Sequence, residues 1–276
     1  MTKNNVNEDL NHSILRNSPL KDDFGILASK VVNDINIQNT VPSRIRDEIP
    51  TLNRMGYMKI DLDYFSKEFI KYAEKINDKV LDLGCAYGFV VKHVLENDRQ
   101  IIACDLSPHH LEVLIKSSPQ DKLDKLHVYP GKFPQDVTLP VSSIAAVLTT
   151  RMFHFLEGET IEKGLDKIYS WLKPAGKLFF TVVTPYNIAI KEGCLPTYLQ
   201  RVKEGDKWPG VIENQWEINP AHKEYVEPYL HVFDIPQLEA LLPKHGFKIE
   251  EINLFDYPND VDSGGKGHVG LIAAKI

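Results

Sequence analysis

Two glycines four residues apart, at the end of a short apolar run, constrain this chain more than any other feature. Residues 79–88 read Lys-Val-Leu-Asp-Leu-Gly-Cys-Ala-Tyr-Gly, and a helical pattern, Phe89-Val-Val-Lys-His-Val-Leu, opens directly behind them. Glycine lets the backbone turn sharply and lets a ligand approach closely. Strand, tight turn and helix N-terminus in that order aim backbone N–H groups at one point, a cradle for a polar ligand. A second apolar run, Gln100-Ile-Ile-Ala-Cys-Asp105, ends in a carboxylate 21 residues beyond Gly84. An acid at that spacing, at the tip of the next strand, is placed to accept both ribose hydroxyls of a nucleoside. A dinucleotide fingerprint starting at Gly84 would need glycine at 86 and 89, and the chain has Ala86 and Phe89.

The rest of the chain alternates helical and extended patterns. Apolar spacing predicts a helix over 21–37, a Pro-containing link through Pro42 and Pro50, and a second helix over 62–76. Strands are expected at 79–84, 100–105, 126–129, 144–149 and 177–183, with helices at 88–97, from Ser107-Pro108, and at 160–172. A connection over 184–233 breaks the alternation. A helix over 236–245 and strands over 247–255 and 269–274 close the chain. This order predicts a doubly wound α/β fold, a mostly parallel sheet with helices on both faces.

The turn Asp82-Leu-Gly-Cys-Ala-Tyr-Gly88 resembles motif I of the class I, Rossmann-like S-adenosylmethionine-dependent methyltransferases, Asp-x-Gly-x-Gly-x-Gly. It departs at the middle glycine, here Ala86, whose methyl group calls for negative φ. The resemblance covers roughly residues 55–183 and 234–276. It implies a seven-stranded sheet with an antiparallel last strand. It implies an N-terminal helical cap over 1–55, a methyltransferase domain over 56–276 and an acceptor-binding lid between strands five and six, over 184–233. The implied donor is S-adenosylmethionine, with S-adenosylhomocysteine as product. Asp82, Gly84, Cys85, Ala86 and Gly88 would hold its methionine half, Asp105 and Leu106 its ribose, and Lys132 and Phe133 its adenine. Lys132 stands where the family usually carries an acid. Asp136 is the alternative adenine contact, and the loop reads equally well as a surface turn.

The end of the fourth strand, Val147-Leu-Thr-Thr-Arg-Met-Phe-His-Phe-Leu156, resembles the motif IV region of small-molecule methyltransferases. Thr149, Thr150 and Arg151 would line the floor between donor and acceptor. Met152 and Phe153 would flank the sulfonium, a cation that an aromatic face favours. His154 is the general-base candidate of the stretch; a structural role capping the following helix is the alternative. Arg151 and Tyr186 complete the candidate catalytic set. Methyl transfer from an activated donor needs alignment more than acid–base help. The strand ends in no Asn/Asp-Pro-Pro-Tyr and no Pro-Cys, which argues against amino-directed DNA or glutamine methylation and cytosine C5 chemistry, and its loop lacks an Asp and Asn cluster for Mg²⁺, so metal-independent chemistry is expected.

Net charge −6, pI about 5.9 and the lack of a basic run argue against nucleic acid or anionic membrane as a partner. No apolar stretch has membrane-spanning length, and the first 20 residues are polar, so a cytoplasmic protein is expected. Three cysteines without paired spacing predict neither disulfide nor zinc site. The 184–233 connection holds Tyr186, Tyr198, Trp208, Trp216, His222, Tyr225, Tyr229 and His231. These either form a dry acceptor pocket or pack the lid onto the domain. His222 and His231 lack the companion ligands of a metal site. The 21–37 helix and Asn53-Arg-Met-Gly-Tyr-Met58 would close the opposite side, with Tyr57 either facing the site or packed in the core. The expected function is methyl transfer to a small molecule at oxygen, nitrogen or carboxylate. A protein methyltransferase and a donor-binding protein without turnover are the alternatives. Monomer and homodimer are both compatible.

Overall fold

A computed structural model describes residues 13–16, 18–37 and 41–276. Its centre is a sheet that begins at β1 (Lys21–Asp22) and β2 (Gly25–Leu27). It continues through β5 (Val80–Leu83), β6 (Ile101–Asp105), β7 (Leu126–Pro130), β8 (Ile144–Thr150) and β9 (Leu172–Val183). It ends with β12 (Phe247–Phe255) and β13 (His268–Lys275). The spatial order is β1-β2-β7-β6-β5-β8-β9-β13-β12. The run from β7 to β9 is parallel, and β13 enters antiparallel between β9 and β12. The sheet thus has two strands more than the seven expected. Both belong to a hairpin added antiparallel to β7.

That hairpin replaces the helix expected over 21–37. Gly25 sits at φ +109°, and a Cβ there would lie 2.5 Å from the Val128 carbonyl oxygen. The Asp22 side chain accepts the Phe24 N–H at 2.8 Å, which closes the turn. Only Ala28–Lys30 forms a short 3₁₀ turn. Ile26, Ala28, Val31 and Ile35 are buried all the same, so their apolar spacing records a strand and turn packed on the sheet.

The helices α1 (Tyr64–Glu74), α2 (Phe89–Glu96) and α3 (Pro108–Ser117) bury one face of the sheet. The opposite face is covered by α4 (Gly158–Trp171) and by α7 (Ile235–Leu241), which follows α5 (Lys191–Glu204) and the short α6 (Gln215–Ile218). Adjacent strand residues split between the two cores: Val80, Ala146 and Phe179 face one, Leu81, Val147 and Phe180 the other. This is the pleat of a sheet buried on both sides. Asp63 caps α1 by accepting the Phe65 and Ser66 N–H groups at 2.8 and 3.0 Å. Phe65 then packs against Gly270 of β13, where a Cβ would stand 2.1 Å from the ring. Gly270→Ala is therefore expected to cost about 1–3 kcal/mol by overpacking. Its denaturant midpoint should fall at unchanged slope, and a wild-type midpoint would refute this packing.

Residues 184–233 form a compact layer of their own. Alongside α5 and α6 it holds β10 (Val211–Ile212) paired with β11 (Leu230–His231), around Ile190, Cys194, Tyr198, Leu230 and Val232. The N-terminal side contributes a separate hairpin, β3 (Glu48–Pro50) with β4 (Tyr57–Lys59).

Candidate active site

A cleft of about 770 Å³ opens over the carboxyl ends of β5, β6 and β8. One half is built by the glycine turn. Gly84 and Cys85 N–H both donate to the Cys104 carbonyl, at 2.8 and 3.0 Å, and Gly88 N–H donates to Cys85. Gly84, Ala86 and Gly88 all have positive φ, +83°, +47° and +73°. The negative φ expected at Ala86 is thus not observed. The turn demands a left-handed residue there, at about 1–2 kcal/mol for a non-glycine. Part of that is offset by the Ala86 N–H, which donates to Asp105 Oδ2 at 2.8 Å. Gly88 does not line the cleft. It is the residue before α2, and a Cβ on it would strike Leu114 of α3 at 2.2 Å, so its role is helix packing.

Asp105 holds the turn together. Its Oδ1 accepts Ser107 N–H at 2.8 Å and His110 Nδ1–H at 3.0 Å, while Oδ2 accepts Ala86. The Ser107 side chain makes no capping bond to α3, contrary to the start signal read there. Asp82 lies at the base of the cleft, and its Oδ1 has no hydrogen-bond partner among the described residues. Burial, reinforced by the charge of Asp105, pushes its carboxyl up to about 7.

Cys85, Leu106, Gly131, Lys132, Phe133, Thr150 and Arg151 also line the cleft. Asp136 does not; its carboxylate accepts the Lys132 N–H at 3.0 Å and braces that loop. Arg151 sits at φ +54°, with its N–H on the Thr181 carbonyl and its guanidinium 5.5 Å from the Tyr257 ring centre. Residues 51–66 wall the other half, including Tyr57, Met58, Lys59 and Asp63. Lys59 Nζ lies 2.7 Å from Glu48 and 3.3 Å from Asp260. Burial pushes the Tyr57 hydroxyl up to about 12, so it stays a donor. Sequence reasoning missed Tyr257, whose only signal is an aromatic residue just beyond β12.

Two of the candidate catalytic residues lie elsewhere. His154 is buried outside the cleft, and its Nδ1 has no partner among the described residues, so it neither reaches the site nor caps α4. Desolvation, with the charge of Arg151 second, holds its ring neutral, well below the ordinary histidine range. Tyr186 gives its hydroxyl to Asp234, away from the cleft. Of the two readings of the aromatic residues of 184–233, packing fits better than a pocket: of the whole layer only Glu227 lines the cleft. Trp208 packs edge-on against His231, and Trp216 Nε1 donates to the Val226 carbonyl. Tyr225 does reach Tyr57 on the far wall, its ring tilted against that one at 5.3 Å.

The buried histidines make acid sensitivity a property of the fold. Desolvation lowers His231 from 6.5 to about 4, and His154 and His268 are lowered in the same direction. Such groups contribute stability that is present above pH 6.5 and lost as the pH falls toward the folded value. His231 alone should remove about 2 kcal/mol by pH 5, from about 1.5 units at 1.4 kcal/mol each. Urea midpoints between pH 7.5 and 5 measure this; a His231→Phe protein that loses as much as wild type would refute it.

Residues 80–176 match a family described as a methyltransferase domain. That match, the fold and the glycine turn make this chain similar to the class I S-adenosylmethionine-dependent methyltransferases. An uncharacterized methyltransferase from Oceanobacillus iheyensis is 26% identical over 49% of this chain and 60% of its own length. A carboxy-S-adenosyl-L-methionine synthase from Vibrio campbellii is 27% identical over 54% of this chain and 58% of its own. The chain thus spans about three fifths of the length of these curated relatives. A solved methyltransferase from Methanosarcina mazei superposes with TM-score 0.57 and 17% identity, covering 78% of this chain and 99% of that one. At that identity the likeness is one of fold.

Proposed function

We propose that this chain transfers the methyl group of S-adenosylmethionine to a small-molecule acceptor, without a metal, in the cytoplasm. The observation that carries the reading is Asp82 Oδ1, unpartnered among the described residues and buried in the same cleft as the glycine turn and Asp105. A buried carboxylate oxygen without a donor is costly, and a ligand ammonium would satisfy it. Asp82 would take the donor's amine, with Gly84, Cys85 and Ala86 along its methionine half. The free acceptor site on Asp105 Oδ2 would take the ribose, with Leu106, Lys132 and Phe133 around the adenine. S-adenosylmethionine supplies a methyl group already activated on a sulfonium. The chain's own work is then to orient both reactants and exclude water. Thr150 and Arg151 would form the floor, and Tyr57, Lys59 and Tyr257 the acceptor side. No histidine base is required, in keeping with the position of His154. We assign residues up to 55 as a cap and 184–233 as a lid, the lid acting through Glu227 and through Tyr225 against Tyr57.

Calorimetric titration with S-adenosylmethionine, S-adenosylhomocysteine and NAD⁺ tests the donor half. Micromolar binding of both sulfur compounds and none of NAD⁺ is the expected result; no binding of either would overturn the reading. Binding without turnover across small-molecule and peptide acceptors would point instead to a donor-binding protein.

A further inference from the structure

We infer that His110 and Tyr87 are positioning residues that fasten the 48–59 hairpin to the donor site, so that donor binding and closure of the acceptor wall are coupled. The inference rests on the donor reading above. His110, on α3, is 1% exposed. Its Nε2 accepts the Leu52 N–H at 3.1 Å, and its Nδ1 lies 3.0 Å from Asp105 Oδ1. A backbone N–H can only donate, so Nε2 carries the lone pair and the proton sits on Nδ1, facing the carboxylate. The ring is a bridge from hairpin backbone to the ribose acid, with both nitrogens used.

Tyr87 makes a second bridge from the glycine turn itself. It stands between Ala86 and Gly88, packs edge-on against His110 at 4.9 Å, and donates its hydroxyl to the Pro50 carbonyl at 3.0 Å. Two anchors, at residues 50 and 52, therefore seize the hairpin at one end. The hairpin is stiff enough to carry that constraint. Thr51 N–H and Oγ1 both reach the Gly56 carbonyl, Met55 N–H reaches Thr51 Oγ1, and Lys59 pairs with Glu48 across the strands. Fixing 50–52 thus fixes Tyr57, Met58 and Lys59, which line the acceptor half.

Asp105 is where the two halves meet. A carboxylate offers about four acceptor sites, and three here are held by Ala86, Ser107 and His110. A ribose hydroxyl on the fourth would restrain the carboxylate, and with it the His110 ring and Leu52. Coupling of this kind is reciprocal: what the donor does to the hairpin, the hairpin does to donor affinity.

Hydrogen–deuterium exchange of the 48–59 segment, with and without saturating S-adenosylhomocysteine, tests this in wild type, His110→Asn and Tyr87→Phe. Asparagine keeps a donor for Asp105 but cannot reach Leu52; Tyr87→Phe removes only the Pro50 anchor. In wild type the ligand should slow exchange of the segment about tenfold, within the usual range of coupling between sites. In each variant that slowing should drop below about threefold, with affinity reduced by a similar factor. A purely structural role would change ligand-free exchange and melting while leaving the ligand-dependent slowing intact, and that result would overturn the inference. So would a wild-type segment indifferent to bound ligand. No binding at all would sink the donor reading and this inference together. Tyr87→Phe, which deletes one hydroxyl, carries the test if His110→Asn fails to fold.

Discussion

Asp105→Ala should lower affinity for S-adenosylhomocysteine about a hundredfold or more, the loss of roughly 3 kcal/mol from charged hydrogen bonds. Two losses combine. The ribose would lose its anionic acceptor, and the turn would lose the brace that holds Ala86 N–H, Ser107 N–H and His110 Nδ1–H in place. Three donors within the fold would then be left without their acceptor, so melting should also fall by several degrees. Asp105→Asn keeps an acceptor oxygen but turns an amide toward one of those donors, and should lie between alanine and wild type. Calorimetry on folded protein separates the effects. A folded Asp105→Ala protein that binds with wild-type affinity would overturn the donor alignment.

Asp82→Asn should move stability and affinity in opposite directions. The carboxyl is pushed from 3.8 up to about 7 in the fold, chiefly by burial. A group raised in this way contributes stability that is fully present below pH 3.8 and lost as the pH rises through 7. At pH 8 the ionised carboxylate is therefore a burden on the ligand-free protein. An uncharged amide should relieve it, by about 2 kcal/mol after the cost of burying its own N–H groups. The gain should hold down to about pH 7 and shrink as the pH is lowered below it. Binding should show the reverse. An ammonium prefers the ionised form, so wild-type affinity should weaken below pH 7 by up to about tenfold per unit, and the variant should bind weakly with a flatter pH profile. Thermal melts and titrations across pH 5–8 measure both. An Asp82→Asn protein no more stable at pH 8 would refute the burial cost, and one that retains wild-type affinity would remove Asp82 from the proposed donor site. Stability given up at a binding site is the usual trade.

The alternating core was legible because buried parallel strands and amphipathic helices have different periods. The runs at 80–83, 101–105 and 144–150 could hardly fold otherwise. The hairpin at 21–27 was not, because short strands and helical turns bury similar apolar sets. What decides is Gly25 against the Val128 carbonyl, a contact 103 residues away in the chain. Within the site, Asp82, Gly84, Ala86 and Asp105 could be read from local order and spacing, since one βαβ unit places them all. His154 could not be placed from sequence. A histidine beyond a strand tip reads as a base or as a helix cap, and only packing shows that it turns inward and serves as neither. The far wall of the cleft was harder still. Residues 51–66, Arg151 and Tyr257 come from three distant segments, and no periodicity links them.

The sequence by itself determined the doubly wound class, the glycine turn and the acid that follows it. These depend on backbone periods and on residues within one supersecondary unit, where near neighbours dictate geometry. Only the tertiary structure decided which side chains face the cleft. It packed Tyr198 of 184–233 into that layer's own small core and Trp208 onto the main one, and brought the 48–59 hairpin against Asp105 and the glycine turn through His110 and Tyr87. The physical reason is that side-chain direction follows from burying each element against partners far away in the chain, information that local spacing does not contain.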